Sequence, residues 1–241
     1  MSHVPKVLNA LSRLLSYPDE HTVQTAEFLF VLLQGEIPEA SQAASDFGAF
    51  AEQREVWEVE EAFTRTFDVN PACALEVGWH LFGEEYARGM FLVRMREELR
   101  KYDLPESAEL PDHISHALAV VAAMPDDEAA RFVRACVQPA VEKMKQALEG
   151  KETPYRHVVA CLAAVLTARW GECTATEQPQ VLQSSTVESD PLRAFPVADV
   201  GCGSGCGSSC GGESELVPLE INLSAGGERA SSSIPMETKK P

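Results

Sequence analysis

The chain has 241 residues, 45% of them hydrophobic, and carries a formal net charge of −17. That length and composition are typical of one globular domain with an additional segment. The acidic balance argues strongly against a nucleic-acid-binding protein, because phosphate backbones are bound by clustered Lys and Arg. It is compatible both with solubility alone and with attraction of a basic peptide partner.

The sequence has no run of about 18 apolar residues, the length that a membrane-spanning helix requires. The apolar stretch at residues 7–15 is interrupted by Asn9, Ser12 and Arg13, so it is too short and too polar for a signal sequence. We therefore expect a cytoplasmic protein without stable membrane insertion. Its seven Cys residues are expected to be reduced thiols in that compartment.

Apolar residues spaced three and four apart predict a succession of α-helices. The longest periodic run spans residues 81–102, and Pro125 with the acidic residues after it marks a helix start. The last predicted helix begins after Pro154 and is stopped by Gly171. We therefore predict an all-α fold, a single helical bundle over residues 1–173. The predicted helical segments are, in chain order, 7–15, 22–33, 56–67, 81–102, 111–121, 125–150 and 155–170.

The composition changes after Cys173, where Gly, Ser, Pro, Thr and Glu become dominant. No helical periodicity is sustained over two turns in this part, so we predict a flexible acidic tail over residues 174–241. Within it, the apolar residues between 216 and 223 alternate in a way that could form a short strand or dock on the bundle.

Catalytic motifs are missing from the sequence, including the nucleophile elbow, the phosphate-binding loop and the zinc-protease motif. We therefore expect no enzyme, no catalytic residue and no cofactor. Cys202, Cys206 and Cys210 recur every four residues and could bind a soft metal or part of an iron–sulfur cluster if a fourth ligand joined them. Their spacing matches no standard metal motif, so we expect no metal at these weak candidates.

Asp112, His113 and His116 are close enough in sequence to share a metal ion on one helical turn. The sequence offers no evident fourth ligand for such an ion. We therefore favour an architectural reading, in which Asp112 caps the start of a helix and the two His residues lie on the surface.

Two motifs stand close together in residues 80–115. Residues 83–90 read GEEYARGM and residues 109–113 read ELPDH. They resemble the Gly-Glu-Ser-x-x-Arg-Gly and Glu-Leu-Pro-Asp-His motifs of the delta-chain family of respiratory nitrate reductases, the NarJ-type molybdenum cofactor assembly chaperones. Phe67-Asp68 and the opening segment at residues 11–18 are similar to that family as well. The resemblance covers roughly residues 4–170.

The resemblance implies a helical chaperone that binds the N-terminal region of the apo catalytic subunit of a nitrate reductase or related molybdoenzyme. The chaperone would support insertion of the molybdenum cofactor before the membrane complex is assembled. A groove beside the Glu-Leu-Pro-Asp-His motif would receive the peptide. The residues that the resemblance assigns to peptide binding are Phe67, Asp68, Tyr86, Arg88, Met90, Pro111, Asp112 and His113.

Other interpretations remain open at this stage. Pro111 and Asp112 could serve only to start a helix, and Gly89 could serve only to let two helices pack closely. The chain could be a permanent structural subunit of the reductase. It could also carry a metal or an iron–sulfur cluster through its Cys-containing tail.

Overall fold

The structure is a computed structural model that describes residues 3–172, Leu192 and Phe195. This part of the chain is built from α-helices, with one 3-10 turn at Pro71–Cys73 and one π-helical segment at Val133–Val137. The predicted all-α fold is confirmed. The α-helices are α1 (Val4–Leu14), α2 (Thr22–Leu33), α3 (Pro38–Glu52), α4 (Val56–Thr66), α5 (Val77–Phe82), α6 (Tyr86–Lys101), α7 (Ile114–Ala123), α8 (Asp126–Phe132), α9 (Gln138–Leu148) and α10 (Tyr155–Trp170).

The helices pack as a bundle with its apolar faces turned inward. Helix α1 packs against α2 and α7, while α3 packs against both α2 and α10. Helix α9 contacts α10 on one side and the short helix α5 on another. Over the described residues, no helix is both long enough and apolar enough to cross a membrane.

An aromatic cluster joins three of these helices. The fully buried ring of Tyr155 lies 5.0 Å from Phe47, 5.4 Å from Phe63 and 5.2 Å from Phe67, measured between ring centroids. Such pairs add about 0.5–1.5 kcal/mol each beyond the area they bury. The cluster therefore fixes α4 and the segment after it against α3 and α10.

Helices α8 and α9 continue through the π-helical segment without leaving the right-handed helical region. The π-helical segment arises because of Pro139 in the first turn of α9. Proline has no backbone N–H, and its ring would clash with a carbonyl one turn earlier in a regular α-helix. The wider π-turn accommodates the ring. Arg134 and Gln138, at this junction, donate to the Trp170 and Gly171 carbonyl oxygens and so cap α10.

The sequence prediction of one helix over residues 81–102 is wrong. Helix α5 ends at Phe82 because Gly83 adopts φ +59°, a left-handed conformation that ends α-helical geometry. Helix α6 begins at Tyr86. The break changes the direction of the chain, so α5 and α6 pack against each other instead of forming one continuous helix.

Most of the predicted tail, including Cys202, Cys206, Cys210 and residues 216–223, lies outside the described residues. Two positions within it are described. Leu192 packs against the helical core, and Phe195 is buried in it with 5% of its surface exposed.

Two glycines of the same motif should respond oppositely to substitution. Gly83→Ala should lower the free energy of unfolding by about 1–3 kcal/mol, because alanine is strained at positive φ. Gly89→Ala is the matched control. Gly89 lies within α6, and apart from its chain neighbours and the nearby backbone of its own helix no described atom lies within 4 Å of an added Cβ, so alanine should raise stability by about 0.5–1 kcal/mol. Urea unfolding of both variants measures the contrast, and equal shifts would contradict it.

Candidate functional site

The Glu-Leu-Pro-Asp-His segment is held against the start of α5 by main-chain hydrogen bonds. The Val77 N–H donates to the Asp112 carbonyl oxygen, and the Ile114 N–H donates to the Leu75 carbonyl oxygen, both at 2.8 Å. Glu76 and His113 form the antiparallel bridge between these bonds. Two segments that are far apart in sequence are thereby fixed side by side.

Asp112 is fully buried behind this bridge. The Arg88 Nε donates to its Oδ2 at 3.3 Å, while no described residue donates to Oδ1. Burial raises the pKa of the Asp112 carboxyl, and the Arg88 charge opposes that shift. The Arg88 guanidinium also lies over the Trp79 ring, 5.7 Å from its centroid, and its side chain is 22% exposed. Arg88 is thus held between a carboxylate and an indole.

Gly78 makes room for this ion pair. A Cβ at this position would lie 2.6 Å from the Asp112 Oδ2, closer than real side chains approach, and 3.0 Å from the Phe91 ring, which is a tight contact. Only glycine fits without displacing one of them. Gly89, for which the sequence suggested a packing role, has open space instead, so that interpretation is wrong. The close approach belongs to Gly78, which carries no local sequence signal for it.

A cleft of about 440 Å³ opens beside Arg88. One part of its wall is apolar and aromatic, and the rest carries one cation, three carboxylates and an imidazole. Its lining residues are Tyr17, Phe63, Phe67, Asp68, Pro71, Ala74, Leu75, Glu76, Trp79, Arg88, Glu109, Leu110 and His113. This combination suits a peptide with apolar side chains and basic groups, since apolar clefts with a few charges bind amphipathic segments.

The structure brings half of the residues singled out from the sequence to the cleft. The four that line it are Phe67, Asp68, Arg88 and His113. Tyr86 and Met90 are 86% and 41% exposed but do not line it, because two residues along a helix amount to a rotation of about 200° away from Arg88. Pro111 and Asp112 are buried and support the wall from behind.

The two His residues are buried, so the prediction of surface positions is wrong. The cap of α7 is also His113 and not Asp112. The Ser115 N–H donates to the His113 Nδ1 at 3.2 Å, which leaves the ring proton on Nε2. His116 is held by Ser107, whose N–H donates to Nε2, and by the Leu110 carbonyl oxygen near Nδ1. Both rings are therefore engaged in positioning the segment.

Sequence reasoning missed several residues of the cleft. Trp79 and Glu76 belong to α5 and its start, a helix of six residues that is too short to give a periodic signal. The Trp79 Nε1–H donates to the Pro71 carbonyl oxygen at 2.9 Å, which fixes the indole beneath Arg88. Trp79, an aromatic residue four positions before the motif glycine Gly83, was the available sequence clue.

The buried thiols Cys73 and Cys161 do not line the cleft. Burial raises the pKa of the Cys73 thiol to about 11 and that of Cys161 to about 12, so neither is a nucleophile at neutral pH. Among the described residues, no group of three or more His, Cys, Asp or Glu side chains is arranged to hold a metal ion. What the lining of the cleft provides is shape, charge and hydrogen-bonding groups.

Comparison with known proteins gives one family match and similar chaperones from Escherichia coli. The model of the nitrate reductase delta subunit family matches residues 34–160, which is more than half of the chain. The nitrate reductase molybdenum cofactor assembly chaperone NarJ of Escherichia coli K12 is 25% identical over 233 residues, covering 90% of this chain and 97% of that protein. NarJ of Escherichia coli O157:H7 matches with the same identity and coverage. Among the residues that line the cleft, Tyr17 alone lies outside the family match.

Removing the buried carboxylate should cost stability. Asp112→Ala should lower the free energy of unfolding by about 2–4 kcal/mol, because it leaves the partly buried Arg88 without its partner and opens a small cavity. Asp127→Ala, at the exposed pair with Arg131, is the control and should change stability by less than about 0.5 kcal/mol. Chemical unfolding decides between them, and equal small effects would show that Asp112 is not integral to the fold.

A second prediction concerns acid stability. Burial, with the nearby His116, lowers the pKa of His113 from 6.5 to about 4. As the pH falls below 6.5, the unfolded chain takes up this proton before the folded one, so stability should fall by up to about 1.4 kcal/mol per pH unit until about pH 4. His113→Asn keeps a good helix cap and removes the titration, so its stability should fall less steeply.

Other groups titrate in the same pH range, so the observable is the difference between the variant and the unaltered protein. Replacing the exposed His21 by Asn is the control for loss of an imidazole at a helix start. Parallel stability curves for His113→Asn and the unaltered protein would contradict the prediction.

Proposed function

This chain belongs to the nitrate reductase delta subunit family, and we propose that it is an assembly chaperone for a molybdenum-containing nitrate reductase. It binds the N-terminal region of the apo catalytic subunit in the cytoplasm and keeps that subunit competent for cofactor insertion. It dissociates before the membrane complex is active. On this proposal the chain itself makes and breaks no bond. The name of its Escherichia coli relatives, nitrate reductase molybdenum cofactor assembly chaperone, supports the assignment.

The observation that carries the proposal is the cleft beside the Glu-Leu-Pro-Asp-His segment. Its volume of about 440 Å³ is that of a site for a few side chains. Leu75, Trp79 and Leu110 provide apolar surface, and Leu110 is 47% exposed at the cleft edge. An amphipathic helix of the client would place its apolar residues here.

Charge supports a basic client segment. Asp68, Glu76 and Glu109 line the cleft, where Arg88 is the single cation among the lining residues. The net charge of the chain is −17, which steers basic segments toward the protein over distances near the Debye length. Arg88 has a different task. Held by Asp112 and Trp79, it presents its remaining N–H groups to carbonyl oxygens at the end of a bound helix.

Calorimetry with a synthetic peptide of the N-terminal segment of the catalytic subunit tests the proposal. We expect a dissociation constant near micromolar, equivalent to about −8 kcal/mol. Absence of heat, together with absence of competition in a second assay, would remove the proposed function. A complex that persists at fixed stoichiometry in the mature reductase would instead identify a permanent subunit.

Neutralising the acidic lining should weaken binding without affecting the fold. The double variant Asp68→Asn with Glu109→Gln should bind the peptide roughly fivefold more weakly and with less salt dependence, because each exposed charge contributes about 0.2–1 kcal/mol. Its melting temperature should stay within about 2 °C of the unaltered protein. Glu39→Gln with Glu149→Gln makes the same change in net charge away from the cleft. Equal loss of affinity in both double variants would show that net charge alone matters.

A further inference from the structure

An aromatic socket lies at the back of α6. Phe195 packs 5.4 Å from Phe91 on α6 and 5.2 Å from Phe132 on α8, between ring centroids. Only 5% of Phe195 is exposed, and Leu192 packs against the core three positions earlier. Phe195 is the sole aromatic residue in the sequence after Trp170. The one large ring available after the last helix is therefore the one that is buried.

Chain connectivity does not dictate this placement. Residues 171–191 separate α10 from Leu192, and a fully extended chain of that length would span roughly 70 Å. The radius of gyration of a domain the size of the helical part is only about 15 Å. A tether of this length reaches any point on the bundle surface, so the position of Phe195 reflects its contacts with Phe91 and Phe132.

The socket lies directly behind the ion pair of the cleft. Phe91, which forms one wall of the socket, also packs against Phe82 at 5.6 Å and against the backbone of Gly78. Gly78 in turn faces the Asp112 carboxylate and the Arg88 side chain. Phe195 itself does not line the cleft. It therefore supports the cleft from behind and does not compete for it.

We propose that Phe91 and Phe132 form a docking socket for the side chain of Phe195, and that Phe195, with Leu192 packed on the core, braces the Arg88 end of the cleft. The socket recognises an aromatic side chain supplied by a segment of the same chain. With the socket filled, Phe91 is confined between Phe195 and Gly78, and Arg88 keeps its position over Trp79. With the socket empty, Phe91 gains space and α6 loosens.

The test uses the full chain with Phe195→Ala. We expect a fall in melting temperature of about 5–10 °C, because a large buried ring is lost. We also expect roughly tenfold faster amide hydrogen exchange concentrated in α5 and α6. Phe195→Leu, which refills part of the socket, should restore part of both properties. Phe28→Ala, at an aromatic residue that is 49% exposed on α2, is the control and should leave both unchanged.

A peptide of residues 190–199, added in excess to the Phe195→Ala protein, should restore the slow exchange in α6. The same peptide with alanine for Phe195 should not. Restoration supports a true docking socket. Unchanged melting and exchange in Phe195→Ala would overturn the proposal, as would faster exchange spread evenly over all helices or a failure of the peptide to restore protection. None of these measurements uses a client peptide, so the outcome is independent of the proposed function.

Discussion

The contact between Arg88 and the buried Asp112 is the constraint on which the rest of the site depends. Burying a carboxylate is costly, and pairs of this kind add little net stability compared with apolar packing. Their value is geometric. The pair ties α6 to the segment before α7 across the backbone of Gly78, and it directs the guanidinium over Trp79. The cleft wall, its single lining cation and the short helix α5 are positioned together by this one arrangement.

The spacing of apolar residues was sufficient to predict a helix and its bounds where that helix buries large apolar residues at regular intervals. The predicted bounds 22–33 and 155–170 coincide with α2 and α10. Helix α3 was not predicted, because the residues it buries are mostly Ala, whose weak hydropathy leaves the periodic signal faint. The break at Gly83 was missed for the opposite reason, since apolar residues keep helical spacing on both sides of it.

The site shows the same division between local and tertiary information. The motifs predicted a groove beside residues 109–113, and Arg88 and His113 line the cleft there, while peptide binding by these residues stays a prediction. The individual roles of the residues in the Glu-Leu-Pro-Asp-His segment were harder to predict from the sequence. Asp112 has the sequence context of a helix cap, yet the bridge between Glu76 and His113 turns it inward and gives the cap to His113. That choice depends on a partner segment about 35 residues away, which no local rule of capping contains.

The bridge also determines when the cleft can exist during synthesis. Its hydrogen bonds join Leu75 and Val77 to residues 112–114, so α5 and α6 are enclosed in a loop. That loop cannot close until residues 112–114 have been synthesised. A ribosome-bound chain that stops before Glu109 has the aromatic residues of the cleft but lacks Glu109, Leu110 and His113, which complete its lining. The rings of Phe63 and Phe67 also pack against Tyr155 of α10, so the complete aromatic wall of the cleft forms only after residues 155–170 have left the ribosome.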